Sequence, residues 1–168
     1  MKRIIIHWTA GTGLPNSTDY QHYHKLITKD GLEINGKFPI SANEVCREDK
    51  NHHALYAAHT GGGNTGSIGV SMCGMAVPPK TPVRKSKYPL TKVQCEKTFK
   101  VCAELCKKYG ISVTSDTVMT HYEFGKKHPK TASAGKIDII YLPPYPNIAA
   151  NKVGDFIRNK TIWYLKRL

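Results

Sequence analysis

The chain has 168 residues, of which 40% are hydrophobic and 22% charged, as expected of one globular domain with a substantial core. Its 25 basic and 12 acidic residues give a formal net charge of +13, which favours an anionic partner: nucleic acid, anionic lipid or an anionic cell-wall polymer. Five cysteines without a Cys-x-x-Cys spacing favour reduced thiols in a cytoplasmic protein over a disulfide framework. We expect neither a signal peptide nor a membrane span, because no apolar run is long enough for either.

The first half of the chain predicts short strands joined by long loops. An isoleucine-rich strand over residues 2–7 comes first and ends at a histidine. Residues 23–28 predict a second strand, which a Lys-Asp-Gly turn connects to a returning segment, residues 32–34, in a hairpin. After a mostly irregular stretch, residues 67–72 predict another short apolar strand.

The second half contains the clearest helix of the sequence. After an exposed, basic and proline-rich loop, Thr91 is the expected N-cap, Gln94 completes a capping box, and Gly110 ends the helix. Residues 111–120 are expected to contain a strand that leads to a histidine. A last amphipathic helix is expected to begin near Ile148.

Alternating strands and helices indicate an α/β fold with a central mixed β-sheet flanked by helices. We assign residues 1–168 to a single domain, with a core of residues 1–146 and a basic amphipathic C-terminal helix over residues 147–168. Residues 155–168 are cationic, with aromatic side chains interspersed among the basic ones. This segment is expected either to dock on the core with its lysines directed outward or to contact anionic lipid or lipopolysaccharide.

Three side chains could together bind a metal ion. His7 closes the first apolar strand, His121 ends a second apolar stretch, and Asp138 follows a lysine by two residues. A catalytic zinc ion typically has three histidine or carboxylate ligands and one open position. In an extended segment Lys136 and Asp138 point the same way, which places an ammonium near an oxygen that becomes negative when a carbonyl compound is hydrolysed. The same residues could instead be core histidines, a turn cap and a surface charge.

Other histidines form competing metal clusters. His22 and His24 would share one face of a strand, and His52 and His53 are adjacent in a loop, but neither pair has a third ligand in a good position. Glu123 forms a His-x-Glu pattern like that of zinc deaminases, without their Pro-Cys-x-x-Cys. We therefore expect these histidines at the surface or behind the site, and Glu123 as a buried partner of a neighbouring group.

Five short motifs occur in order over residues 4–142, which is most of the chain. They are Ile6-His7-Trp8-Thr9-Ala10, Tyr23-His24 with Asp30-Gly31, Ala58-His59 with the run from Asn64 to Val70, Thr120-His121-Tyr122-Glu123-Phe124, and Gly135-Lys136-Ile137-Asp138. With these motifs the chain resembles the zinc-dependent N-acetylmuramoyl-L-alanine amidases. That group includes phage lysozyme-like amidases, type 2 amidases and peptidoglycan-recognition proteins.

The resemblance implies a role for each matched position. One Zn²⁺ would be bound by His7, His121 and Asp138. Tyr23 and Lys136 would act in catalysis beside the metal. The positions expected to contact substrate are Trp8, Thr9, His59 and Asn64. Tyr23 could instead be a core aromatic residue, and His59 and Asn64 could serve only to fix a loop.

One position departs from part of the family. Members of the muropeptide-recycling branch carry a glutamate, a candidate general base, where this chain has Ser71. Zinc would lower the pKa of a bound water molecule to about 7. Without a carboxylate at this position, Tyr23 and Lys136 are expected to assist the reaction, as the resemblance to the phage branch implies.

The resemblance implies zinc-dependent hydrolysis of the amide bond between N-acetylmuramic acid and L-alanine in peptidoglycan. We expect a monomeric phage or prophage endolysin, made in the host cytoplasm and acting on the cell wall after release. Three alternatives stay open: a cytoplasmic muropeptide-recycling amidase, a non-catalytic peptidoglycan-binding protein, and a nucleic-acid-binding protein. We expect no specific nucleic-acid partner, because the sequence has no helix-turn-helix, zinc-finger or RNA-binding aromatic motif.

Overall fold

The computed structural model describes residues 1–47, 49, 51–52 and 55–168. Strands lie at Arg3–Trp8 (β1), Lys25–Ile27 (β2), Glu33–Asn35 (β3), Ser67–Met72 (β4) and Val118–Thr120 (β5). Helices lie at Ser17–His22 (α1), Lys92–Tyr109 (α2), His121–Lys127 (α3) and Val153–Leu165 (α4). Short 3-10 helices lie at Ile40–Asn43, Val83–Lys85 and Ala150–Lys152.

Within the described residues, five strands form one mixed sheet in the order β3-β2-β4-β1-β5, which confirms the predicted α/β fold. β1 is parallel to β4 on one side and to β5 on the other. β2 is parallel to β4 and antiparallel to β3, which confirms the predicted hairpin. Because the carboxyl ends of β1, β4 and β5 meet at one edge of the sheet, residues distant in sequence lie close together there.

The two faces of β1 have different environments, because side chains alternate along a strand. Ile4 and Ile6 belong to the main hydrophobic core, together with residues of α2 and α4. Ile5 and His7 point to the opposite face, where Ile5 belongs to a small cluster with Phe124 of α3. The face that carries His7 is therefore not the one that the two long helices cover.

β4 leaves room on the face that carries His7. Its residues on that face are Ser67, Gly69 and Ser71, and the last is the register partner of His7. A Cβ atom on Gly69 would lie 2.6 Å from the ring of His59, so only glycine fits at this point. The loop before β4 thus packs its histidine directly against the backbone of the sheet.

The long helix α2 begins and ends as the sequence predicted. Thr91 and Gln94 form the reciprocal capping box, and Gly110 adopts a left-handed φ of 65°. The C-terminal helix α4 begins at Val153, later than the expected start near Ile148, after the 3-10 turn. It packs against α2.

Two short helices were not predicted, and two strands are shorter than expected. α1 and α3 each begin with a capping box, Asn16 with Asp19 and Thr120 with Glu123. α1 occupies the chain up to His22, which limits the strand expected over residues 23–28 to β2. The strand expected within residues 111–120 is limited to β5, because hydrogen-bonded turns precede it.

The predicted placement of His22 and His24 on one face of a strand is wrong. His22 is the last residue of α1, whereas His24 precedes β2 and is buried. His24 Nε2 lies 3.0 Å from Asn43 Oδ1, and its Nδ1 accepts the Gly69 N–H at 3.0 Å. Both of its ring nitrogens are therefore used inside the fold. The other predicted pair included His53, which lies outside the described residues.

Arg158 of α4 connects the C-terminal helix to the part of the sheet that carries His121. Its guanidinium, 8% exposed, donates to both carboxylate oxygens of Glu123 at 2.9 and 3.0 Å. It also donates to the Val118 carbonyl at 2.9 Å and to Asp155 at 2.8 Å. Glu123 is thus the partner of a neighbouring group, a cation, but it is half-buried rather than buried as predicted. None of the helices in the described part of the chain is long and apolar enough to cross a membrane.

Candidate metal centre and substrate groove

The three candidate metal ligands meet at the carboxyl edge of the sheet. His7 is the penultimate residue of β1, and His121 directly follows β5 as the first residue of α3. A backbone hydrogen bond links the residue after His121 to the third candidate ligand: the Tyr122 N–H donates to the Asp138 carbonyl at 2.5 Å. All three side chains are buried: His7 is 1% exposed, His121 6% and Asp138 8%.

Their ligand atoms converge. His7 Nδ1 lies 2.9 Å from Asp138 Oδ2, and His121 Nδ1 lies 3.1 Å from Asp138 Oδ1. The two imidazole centroids are 4.6 Å apart, with the rings at 65° to each other. One nitrogen from each histidine and one carboxylate oxygen all lie within 4.8 Å of one another. The structure therefore brings together the three residues that the sequence predicted as metal ligands.

The charges of these groups suit metal binding. Burial is the main reason that the pKa of His7 is lowered to about 4, against the opposing effect of the nearby Asp138 carboxylate. Burial alone would raise the pKa of Asp138, but the adjacent His121 and His7 outweigh it and hold that pKa below its ordinary value. At neutral pH the group is thus a neutral imidazole beside a carboxylate anion, the protonation states that metal ligands require.

A hydrogen-bond chain behind His121 fixes which of its nitrogens carries a proton. The Ser133 hydroxyl has a single proton, which it donates to the Gly61 carbonyl at 2.8 Å. His121 Nε2 lies 2.9 Å from the same hydroxyl oxygen and must therefore donate to it. Nδ1 is then an unprotonated acceptor that faces the Asp138 carboxylate. An unprotonated Nδ1 beside a carboxylate can bind a metal ion together with it, so the residues fit a metal ion, and the N₂O donor set is typical of zinc.

The metal cluster lies at the base of a groove with a volume of about 840 Å³. His121 and Asp138 line the groove together with the other residues predicted for the site: Trp8, Thr9, Tyr23, His59, Asn64 and Lys136. Lys136 is exposed on the wall of the groove, two residues before Asp138. An ammonium therefore lies on the same groove as the candidate metal ligands.

Tyr23 lies beside the metal cluster, with its ring centroid 5.1 Å from that of His7. Burial, followed by the charge of Asp138, raises the pKa of Tyr23 above its ordinary value. The phenol therefore stays protonated at neutral pH and can donate a hydrogen bond. The nearby Ser71 hydroxyl opposes this increase but supplies no base.

The groove offers no obvious carboxylate base. In the described part of its lining, the carboxylates are Asp19 and Asp138. Asp19 accepts the Asn16 N–H at 2.9 Å in the capping box of α1, and burial raises its pKa. Asp138 faces the two metal-site histidines. The position that the recycling branch fills with glutamate is Ser71, which is buried in β4.

Two of the predicted substrate contacts also hold the backbone around the groove. Asn64 Oδ1 accepts the N–H groups of His59 and Thr60 at 2.9 and 2.8 Å. Thr9 Oγ1 accepts the N–H groups of Gly11 and Gly74 at 3.2 and 3.1 Å. Both side chains therefore fix loops, and their contact with substrate stays a prediction.

Sequence reasoning missed three groups at the site. Ser133 and Thr60 lie behind the two metal-site histidines, and no local pattern distinguishes them from surface residues. His22 was considered only as half of a metal pair, whereas it lines the groove with its Nδ1 2.5 Å from the Ala58 carbonyl oxygen. Its position became clear only with α1, whose capping box was visible in the sequence.

This arrangement can hydrolyse a carbonyl compound, because it combines a metal site, an ammonium and a phenol in one open groove. The family model described as N-acetylmuramoyl-L-alanine amidase matches residues 1–138 and so includes all of these groups. No curated protein matches the chain closely enough to count as a relative. The chain belongs to the N-acetylmuramoyl-L-alanine amidase family.

Proposed function

We propose that this protein is a zinc-dependent amidase that cleaves intact peptidoglycan, as the endolysin of a phage or prophage. Membership of the family gives the reaction: hydrolysis of the amide bond between N-acetylmuramic acid and L-alanine. One observation supports the zinc dependence above all others. Two imidazole nitrogens and a carboxylate oxygen converge, buried, at the base of an open groove.

The residues of the chain divide the work as follows. His7, His121 and Asp138 would hold the zinc ion, which supplies Lewis acidity and makes water more acidic. The Lys136 ammonium stabilises the negative charge that develops on the amide oxygen. The protonated Tyr23 hydroxyl donates a hydrogen bond to the reacting group and orients it. Proton transfer then uses these groups rather than a dedicated carboxylate.

The positive charge beside the groove is consistent with an anionic polymer as the substrate. The basic loop, residues 78–89, places Val83 on the lining of the groove. Four of its cations are exposed: Lys80, Arg84, Lys85 and Lys87. None of the four forms an ion pair within the described residues. Their uncompensated charge attracts the anionic wall to the groove without a separate binding module.

The test is product analysis after digestion of purified sacculi, with the metal content measured on the same sample. We expect new L-alanine N-termini, no new reducing sugars and about one zinc per chain. Asp138→Asn is the matched control, because it keeps the shape of the ligand and removes its charge; it should lose zinc and activity together. New reducing sugars, or full activity without metal, would contradict the proposal.

The alternatives make different predictions in the same assay. A muropeptide-recycling amidase would act on soluble anhydro-muropeptides and leave intact sacculi unchanged. A non-catalytic binding protein would sediment with sacculi and release nothing, which the retention of all three ligands makes the weaker alternative. A nucleic-acid-binding protein would bind DNA in a salt-sensitive manner without wall hydrolysis.

A monomeric state and release to the wall from the host cytoplasm complete the proposal. Contact with anionic lipid or lipopolysaccharide is proposed for the exposed end of α4, where Trp163, Lys166 and Arg167 lie at the surface. Flotation with anionic vesicles would test it. Unchanged flotation of a Trp163→Ser/Arg167→Gln variant would leave α4 as a helix docked on the core.

A further inference from the structure

His59 lies directly behind the metal site, on the side of His7 away from Asp138. Its Nδ1 is 3.1 Å from His7 Nε2 and 2.7 Å from Thr60 Oγ1. Its Nε2 lies 3.4 Å from the Ser67 carbonyl oxygen. The ring is buried, and it is held between the sheet and His7 with its centroid 5.1 Å from the His7 centroid.

These contacts determine where the protons are. The Ser67 carbonyl can only accept a hydrogen bond, so His59 carries its proton on Nε2. His59 Nδ1 is then an unprotonated acceptor that faces both the Thr60 hydroxyl and His7 Nε2, and a His7 that binds metal through Nδ1 carries its proton on Nε2 and donates it there. His7 Nδ1 is left as an acceptor 2.9 Å from Asp138 Oδ2.

We propose that His59 is a positioning residue: it fixes His7 in the tautomer that presents an unprotonated Nδ1 to the metal. Without an acceptor behind it, His7 would place its proton on Nδ1 and donate it to the Asp138 carboxylate. That tautomer cannot bind a metal through Nδ1. His59 therefore raises the affinity of the site for zinc without touching the ion.

The sheet beneath His59 is built to hold its ring in place. Gly69 of β4 leaves the space that the ring occupies, because a Cβ atom there would lie 2.6 Å from the ring. Asn64 holds the backbone of the loop by accepting the His59 N–H at 2.9 Å. Ser133 does for His121 what His59 does for His7, with a hydroxyl oxygen as the acceptor.

Zinc affinity tests the inference directly, by competition with a chromophoric chelator. His59→Leu removes the acceptor, and we expect the dissociation constant to rise about 10–100-fold, as for other groups that support a ligating histidine. His59→Asn keeps an acceptor near the position of Nδ1 and should recover most of the affinity. His128→Leu is the control, since it removes an exposed imidazole that stacks on Phe124, away from His59; it should leave zinc affinity unchanged.

The tautomer of His7 in the metal-free protein gives a second readout that needs no variant. Nitrogen NMR of the wild-type protein should show the His7 proton on Nε2, and His59→Leu should move it to Nδ1. Gly69→Ala, which displaces the ring, should shift the tautomer in the same direction. A wild-type His7 with its proton on Nδ1, or unchanged zinc affinity in His59→Leu, would overturn the inference.

The inference rests on the proposed zinc site, but the two fail differently. If the wild-type protein binds no zinc, the proposed function fails, whatever the tautomer of His7. If the wild-type protein binds zinc and His59→Leu binds it equally well, only the role of His59 fails. Circular dichroism of each variant shows whether the fold is retained.

Discussion

Replacing Arg158 with methionine should destabilise the protein more than any comparable change at the surface. The guanidinium is 8% exposed and makes four hydrogen bonds, two of them to Glu123. Methionine fills much of the same space but provides no donor. The Val118 carbonyl then loses a partner, and the Glu123 carboxylate is left beside α4 without its cation.

The size of the effect follows from burial. Removing one partner of a buried ion pair typically costs about 3–5 kcal/mol, because the other charge stays buried and unpaired. The Glu123 side chain keeps 21% of its exposure and still accepts the Thr120 N–H at 3.0 Å, so we expect the lower end, about 3 kcal/mol. For a domain of this size, about 3 kcal/mol lowers the melting temperature by roughly 6–12 °C.

Thermal unfolding of the metal-free protein, followed by circular dichroism, measures this shift. Arg167→Met is the matched control: the same chemical change at an exposed arginine that stacks on Trp163, with its guanidinium 3.7 Å from the ring centroid. It should change stability by less than about 0.5 kcal/mol. The double variant Arg158→Met/Glu123→Gln should recover part of the loss, because the unpaired charge is gone. A melting temperature for Arg158→Met within about 2 °C of the wild type would refute this reasoning.

Three further predictions concern charge and metal. Burial is the main cause that lowers the pKa of His24 from 6.5 to about 4, so the unfolded chain takes up a proton that the folded protein resists. The contribution of neutral His24 to the free energy of unfolding is therefore fully present above pH 6.5, and about 3 kcal/mol of it is lost as the pH falls to about 4. An NMR titration of His24 with its midpoint above pH 6 would contradict this prediction. Lys136→Met should reduce the rate of sacculus digestion about 10²–10³-fold with zinc affinity unchanged, and equal losses of both would show a structural role instead. Zinc at about 100 times its dissociation constant should stabilise the protein by about 2.7 kcal/mol, which a scan with and without chelator measures as a higher melting temperature; the Asp138→Asn variant should show no such gain.

The strands and helix with strong local signals were predicted correctly. The isoleucine run of β1, the apolar segment of β4 and both ends of α2 depend on side-chain patterns within a few residues. α1 and α3 were missed although each begins with a capping box, because neither has an apolar run to draw attention to it. β5 is shorter than expected, since tertiary pairing with β1 selects only three residues of the stretch.

The part of the site that lies in recognisable sequence motifs was predictable. His7, His121 and Asp138 were identified from sequence, because strand ends and a recognisable family pattern mark them. What lies behind them was not predictable. The contact of His121 with Ser133, and that of His7 with His59, depend on how two loops pack against the sheet. No spacing in the sequence encodes these contacts.

The separation of the ligands along the chain has a consequence for biosynthesis. Asp138 stands 131 positions after His7, and β1 has both of its sheet neighbours later in the chain. At ~5–20 residues per second, ribosomes need on the order of ten seconds to extend from the first ligand to the last. Throughout that interval the nascent polypeptide cannot bring the three candidate ligands together, so the amidase stays inert while it is being translated. The isoleucines of β1 meanwhile lack the strands that bury them in the folded protein.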